Sequence, residues 1–115
     1  MSDNPIIKDD LLVLRASAAA TSTQTGTGKA IGPTGLAKAV VIVSAITSTP
    51  SIVVDIQEDD ALGGSYATVA TFPAITAVGT YELPFRANKK YVRYLSTHGD
   101  ADSITYETFV TTAEK

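Results

Sequence analysis

Short apolar runs rich in Val, Ile, Thr and Tyr, roughly four to ten residues long and each closed by Gly, Pro, Asp or Asn, recur along the whole chain. This rhythm constrains the fold more than any other feature. β-Branched side chains are stiff at χ1 and pack well on a pleated surface, and the runs are mostly too short for amphipathic helices. With no repeat of 20 to 50 residues there is no solenoid or propeller pattern. The expectation is an all-β domain.

The runs can be placed in order. Leu11 to Ala20 reads as a strand despite its alanines, because Thr21, Ser22 and Thr23 follow directly. Turn chemistry at Thr25 to Lys29 and Gly32 to Gly35 surrounds a short stretch at Lys29 to Ile31. Ala37 to Thr47 is apolar on both alternating faces, the pattern of a fully buried central strand. Ile52, Val54 and Ile56 alternate with Val53, Asp55 and Gln57, so one face of that strand points inward.

After the Asp59 to Ser65 connection, Tyr66 to Phe72 resumes a strand in which Val69 and Phe72 fall on opposite parities, the signature of a bulge. Thr80 to Arg86 alternates Tyr81, Leu83 and Phe85 against Glu82, Pro84 and Arg86, and Pro84 implies that this strand lies at a sheet edge or has its amide side facing solvent. Lys89 to Thr97 and Ser103 to Thr112 complete the set, separated by a turn at His98 to Asp102. Tyr81, Tyr91 and Tyr106 are expected to pack in the core or between sheets.

Apolar faces on tightly connected strands need two mainly antiparallel sheets to cover them. The expected fold is therefore a jelly-roll-like β-sandwich of roughly seven to eight strands over residues 11–115. Residues 1–10, with Pro5 and no core-forming period, read as an extended N-terminal arm.

Composition limits the function. Twelve acidic against nine basic side chains give a formal charge of −3, without a Lys/Arg cluster able to neutralise several phosphates. Nucleic-acid binding is not expected. No run reaches the ~18 apolar residues of a membrane span, and Met1 to Pro5 lacks the regions of a secretory signal, so a soluble protein made in the cytoplasm is expected. Cysteine is absent, which removes disulfides and thiolate chemistry, and leaves association as a source of extra stability for so small a core.

Four fragments invite a chemical reading and fail it. Gly26-Thr27-Gly28-Lys29-Ala30 lacks the upstream glycine and the Ser or Thr of a phosphate loop, since position 23 is Thr and position 30 is Ala. His98, the single histidine, lies in a Gly and Asp turn and reads as exposed. Asp59-Asp60 and Asp100-Ala101-Asp102 supply too few oxygens for calcium. Glu58, Glu82 and Glu107 fall in three different strands, so they make no acid and base pair. No catalytic, metal or cofactor site is expected.

Taken together, Ile52 to Glu58, Ser65-Tyr66-Ala67-Thr68-Val69, Gly79 to Phe85, Lys90-Tyr91-Val92-Arg93-Tyr94-Leu95 and the Thr-rich last strand resemble the capsid cement or decoration proteins of tailed bacteriophages, the Bbp16-like group. The resemblance spans residues 10–112. It implies a virion protein on the outer capsid surface, bound to the major capsid protein and stabilising the shell, often as a trimer. Contacts would then come from the arm, with Pro5, Ile6 and Ile7, and from two loops, with Gly26, Gly28 and Lys29 in one and Asp59, Asp60 and Leu62 in the other. A receptor- or glycan-binding module of a tail fibre, and a head-tail connector or tail subunit, share the fold class and remain open from sequence.

Overall fold

The computed structural model describes residues 11–31 and 35–112; the expected arm at residues 1–10 lies outside them. These residues form nine strands and no helix: β1 (Leu11–Ala20), β2 (Gln24–Thr25), β3 (Lys29–Ala30), β4 (Gly35–Ile46), β5 (Ile52–Asp59), β6 (Ala67–Thr71), β7 (Gly79–Ala87), β8 (Tyr91–His98) and β9 (Ile104–Thr112).

Every pairing is antiparallel. One sheet has the order β1-β9-β4-β7 and the other β2-β8-β5-β6, with β3 also on β8. β2 opposes Ser96 and Leu95 while β3 opposes Val92 and Tyr91, so the two short strands occupy one position interrupted at residues 26–28. Counted this way, there are eight strand positions. They form nested pairs, with β1 on β9, β2/β3 on β8, β4 on β7 and β5 on β6. Those pairs rolled into two facing sheets make a jelly roll.

The inward parity of each strand fills the space between the sheets: Ala37, Ala39, Val41 and Val43 from β4, Ile52, Val54 and Ile56 from β5, Val92 and Tyr94 from β8, and Ile104, Tyr106 and Val110 from β9. Phe72 and Ile75 add to them from the connection after β6, where Ile75 exchanges backbone hydrogen bonds with Ile52. Each fully buried aliphatic side chain here contributes about 1.5–3 kcal/mol over its exposed form.

All four sheet edges are blunted. β7 carries Pro84, as the sequence implied. β1 shifts register on both sides of Arg15, β2/β3 is broken, and β6 has five residues with a bulge at Val69, opposite the Ile56/Gln57 step. Such edges resist the addition of a further strand.

Three expectations need correction. β4 is central and Val40 on its outward parity is buried, but Leu36, Lys38 and Ile42 on that parity remain at least partly exposed. Tyr91 points away from the core and is half-buried; the odd and even parities of β8 are split so that Tyr94 takes the interior place. His98 is no exposed turn residue, because it ends β8 and its side chain is 1% exposed.

Candidate interaction surface

One end of the sandwich collects most of the residues picked out by sequence. β5 finishes at Asp59 opposite Tyr91, the first residue of β8, and Tyr91 also opposes Ala30 of β3. The connection from β7 to β8 lies across this end. Glu58, 8% exposed, accepts a hydrogen bond from the Asn88 amide at 2.9 Å, and Asp60 Oδ1 accepts one from the Lys90 amide at 3.3 Å. Lys89 Nζ reaches Asp60 Oδ2 at 3.5 Å, an exposed pair worth about 0–1 kcal/mol. Asp59 Oδ2 turns back on the Ala61 amide at 2.8 Å. The aspartates therefore shape and join loops.

Gly28 meets this cluster from the other side. A side chain there would strike the Tyr66 hydroxyl and approach Leu62 Cδ1 to 3.1 Å. Leu62 is itself 51% exposed, and its carbonyl accepts the Tyr66 hydroxyl at 2.8 Å. Gly28, Asp59, Asp60 and Leu62 thus come together, with Lys29 beside them on β3. Gly26 does not belong with them. It is half-buried, donates its amide to the Tyr94 carbonyl, and lacks a side chain where the Tyr94 ring lies. Pro5, Ile6 and Ile7 are outside the described residues.

Sequence reasoning missed the polar set on the adjoining sheet face. The Arg93 guanidinium lies 4.2 Å from the Tyr66 ring centroid, and Arg93 Nε donates to Gln57 Oε1 at 2.8 Å. Gln57 in turn donates to Thr68 Oγ1 at 3.2 Å, so β8, β5 and β6 are tied across their outer face. Burial raises the Tyr66 hydroxyl above its ordinary pKa, while Arg93 pulls it the other way. The outward parity of Gln57 was legible in sequence, whereas Arg93 shares its parity with Tyr91, which was expected in the core. Their being opposite one another depends on register.

The remaining candidates are structural. His98 Nε2 lies 2.7 Å from the Asp102 carbonyl, which can only accept, so this nitrogen carries the proton. Asp102 Oδ2 accepts the Thr49 amide at 3.1 Å and Asp100 Oδ1 the Asp102 amide at 3.0 Å, which closes the turn after β8. Glu82 pairs outward with Lys38 at 3.2 Å, on a different sheet from Glu58. Among the described residues no group of three or more His, Cys, Asp or Glu could hold a metal ion.

No protein-family model matches the chain, and no curated protein does. Solved structures that share its fold include the following two. The PBSX exported protein XepA superposes with a TM-score of 0.63 at 16% identity, over 90% of this chain and 36% of that one. The CBM22-1-GH10 modules of the Clostridium thermocellum xylanase Xyn10B, complexed with xylohexaose, match with a TM-score of 0.51 at 13% identity, over 91% of this chain and 26% of that one. The chain thus spans about a third or less of the proteins it resembles in structure.

Proposed function

We propose that this chain is a non-catalytic virion protein, made in the host cytoplasm, that binds the outer surface of an assembled phage capsid and stabilises it through contacts with the major capsid protein. The observation that carries the reading is the gathering of Gly28, Lys29, Asp59, Asp60 and Leu62 at one end of a sandwich with blunted edges. Leu62 is an exposed apolar side chain in the loop that also carries Asp60, which meets Lys89 and the Lys90 amide, so apolar and charged groups share this end as they do in an interface with an apolar centre and a polar rim. Backbone amides that donate to Glu58, Asp59 and Asp60 hold this end in shape before docking, which lowers the ordering cost of binding. The strand cadence shared with tailed-phage cement proteins points the same way.

Purified particles with and without the protein test the proposal. Particles lacking it should lose their contents at lower temperature or weaker osmotic shock, and adding back the wild-type chain should restore resistance while Leu62→Asp should not. Equal resistance with and without the protein defeats it.

A second reading draws on the fold shared with a xylanase carrying a carbohydrate-binding module and on the Tyr66, Arg93 and Gln57 set. On this reading the outer face of the β2-β8-β5-β6 sheet binds a glycan, with tyrosine rings and hydrogen-bonding side chains as the platform. A glycan array with no signal above that of the Arg93→Ala variant eliminates it.

A further inference from the structure

Leu62 stands at the tip of a turn. The Gly64 amide donates to the Ala61 carbonyl at 3.0 Å, which makes Ala61-Leu62-Gly63-Gly64 a β-turn with Leu62 and Gly63 at its two central positions. Neither has a positive φ, so the turn is of type I. The peptide between Leu62 and Gly63 takes no part in the bond that closes the turn. Turning it over converts type I to type II with little movement of the flanking chain, and sends the Leu62 carbonyl to the opposite side. Type II requires a positive φ at the second central position, where glycine stands. The type I turn does not need that glycine, since a side chain on Gly63 would meet nothing within 4 Å. Residue 63 therefore leaves a second orientation open.

One contact decides between the two. The Tyr66 hydroxyl donates to the Leu62 carbonyl at 2.8 Å, a bond that the flipped peptide cannot make because its oxygen then points away. Tyr66 is itself braced. Its ring lies against the Arg93 guanidinium, 4.2 Å from Cζ to the ring centroid. Arg93 Nε donates to Gln57 Oε1 at 2.8 Å, and Gln57 donates to Thr68 Oγ1 at 3.2 Å. Gly28 leaves room for the Tyr66 hydroxyl, where any side chain would collide with it. The Leu62 carbonyl, at the border of this face, is thus the outer end of a line of contacts anchored in β6, β5 and β8.

We infer that Tyr66, positioned by Arg93, locks the Leu62-Gly63 peptide in one of two orientations and so fixes how the exposed Leu62 is presented to a partner. Arg93 acts only through Tyr66. A locked turn meets its partner in a single state, so apparent affinity is not reduced by the fraction of molecules in the other. The consequence for docking rests on the capsid reading. The lock does not, and is read on the free chain.

Amide spectra of the purified full chain test it. Wild type should give a single sharp signal for each of Gly63 and Gly64. Tyr66→Phe keeps the ring on Arg93 and removes only the donor, and the flipped population should rise about two- to tenfold, seen as relaxation dispersion or doubled signals at Gly63 and Gly64 with core signals unmoved. Arg93→Ala should produce the same exchange with the hydroxyl still present. Adding Gly63→Ala to Tyr66→Phe should abolish the exchange, because alanine resists the positive φ of type II. A bond that only supported the fold would not be rescued in this way. In add-back to depleted particles, the affinity of Tyr66→Phe should fall in proportion to the flipped fraction, and the double variant should recover it. Failure of the wild type to bind particles defeats the capsid reading, and the spectra then decide the lock by themselves. Sharp, unsplit Gly63 and Gly64 signals in Tyr66→Phe overturn the inference, as does exchange that persists in the double variant.

Discussion

Tyr106 of β9 and Ser96 of β8 meet hydroxyl to hydroxyl between the sheets, each with no exposed surface. This bond joins the two sheets across the core. Arg15 reaches in from β1 to cover it, its Cζ 4.2 Å from the Tyr106 ring centroid and its Nη1 donating to the Tyr94 hydroxyl at 3.0 Å. Tyr94 and Tyr106 pack edge to face, with centroids 6.5 Å apart.

Tyr106→Phe strands the Ser96 hydroxyl and should lower the free energy of unfolding by about 1–3 kcal/mol at neutral pH. Burial raises the Tyr106 pKa above its ordinary 10.0, with the Ser96 bond and Arg15 opposing. The folded state therefore holds this proton more tightly than the unfolded state. Its contribution is fully present below about pH 10 and is lost as pH rises through the elevated native pKa. Urea titrations of wild type and variant at about pH 8 and about pH 11 should show the difference between them shrinking at the higher pH.

Thr108, on the same inward parity of β9, is wholly buried, and its Oγ1 has no hydrogen-bond partner among the described residues. Thr108→Val replaces that hydroxyl with a methyl of nearly the same shape. Stability should rise by about 1 kcal/mol, read as a higher urea midpoint at unchanged slope. A loss of stability would mean that the hydroxyl is satisfied in solution.

Gly26 and Gly28 stand two residues apart in the break between β2 and β3, and alanine should separate their roles. At Gly26 a Cβ would lie 2.6 Å from Cδ1 and Cε1 of the buried Tyr94 ring, so Gly26→Ala should cost about 1–3 kcal/mol. At Gly28 the obstacle is the far end of the Tyr66 side chain, which can swing away. Gly28→Ala should leave the melting temperature nearly unchanged but perturb Tyr66 and Arg93, visible as chemical-shift changes confined to that face.

Glu58 is an acceptor held in place for one backbone amide, that of Asn88. Glu58→Gln retains a side-chain oxygen and should be close to neutral, whereas Glu58→Ala should cost about 1–2 kcal/mol and speed hydrogen exchange of the Asn88 amide. Equal exchange in both variants would remove Glu58 from the support of the loop end.

The alternation of Ile52 to Gln57, the parity break at Val69 and the position of Pro84 were legible because each is local. A strand's period, a bulge's extra residue and proline's missing N–H act within a few residues of chain. The polar set on β8, β5 and β6 was not legible, because Gln57 and Arg93 are 36 residues apart and meet only through register. His98 was misread for the same reason. Its surroundings in sequence are polar and turn-forming, and burial came from the packing of β5 and the turn after β8.

The sequence alone determined that the chain is an all-β sandwich, where its strands run, and which connections turn at Gly28, Asp59 and Asp60, since propensity and side-chain alternation are properties of short segments. Tertiary structure decided the rest. Nested long-range pairing brought Gly28, Leu62 and Asp60 to one end and took Gly26 away to pack on Tyr94. Which strands become neighbours depends on how all the apolar faces are buried together, and no local pattern carries that information.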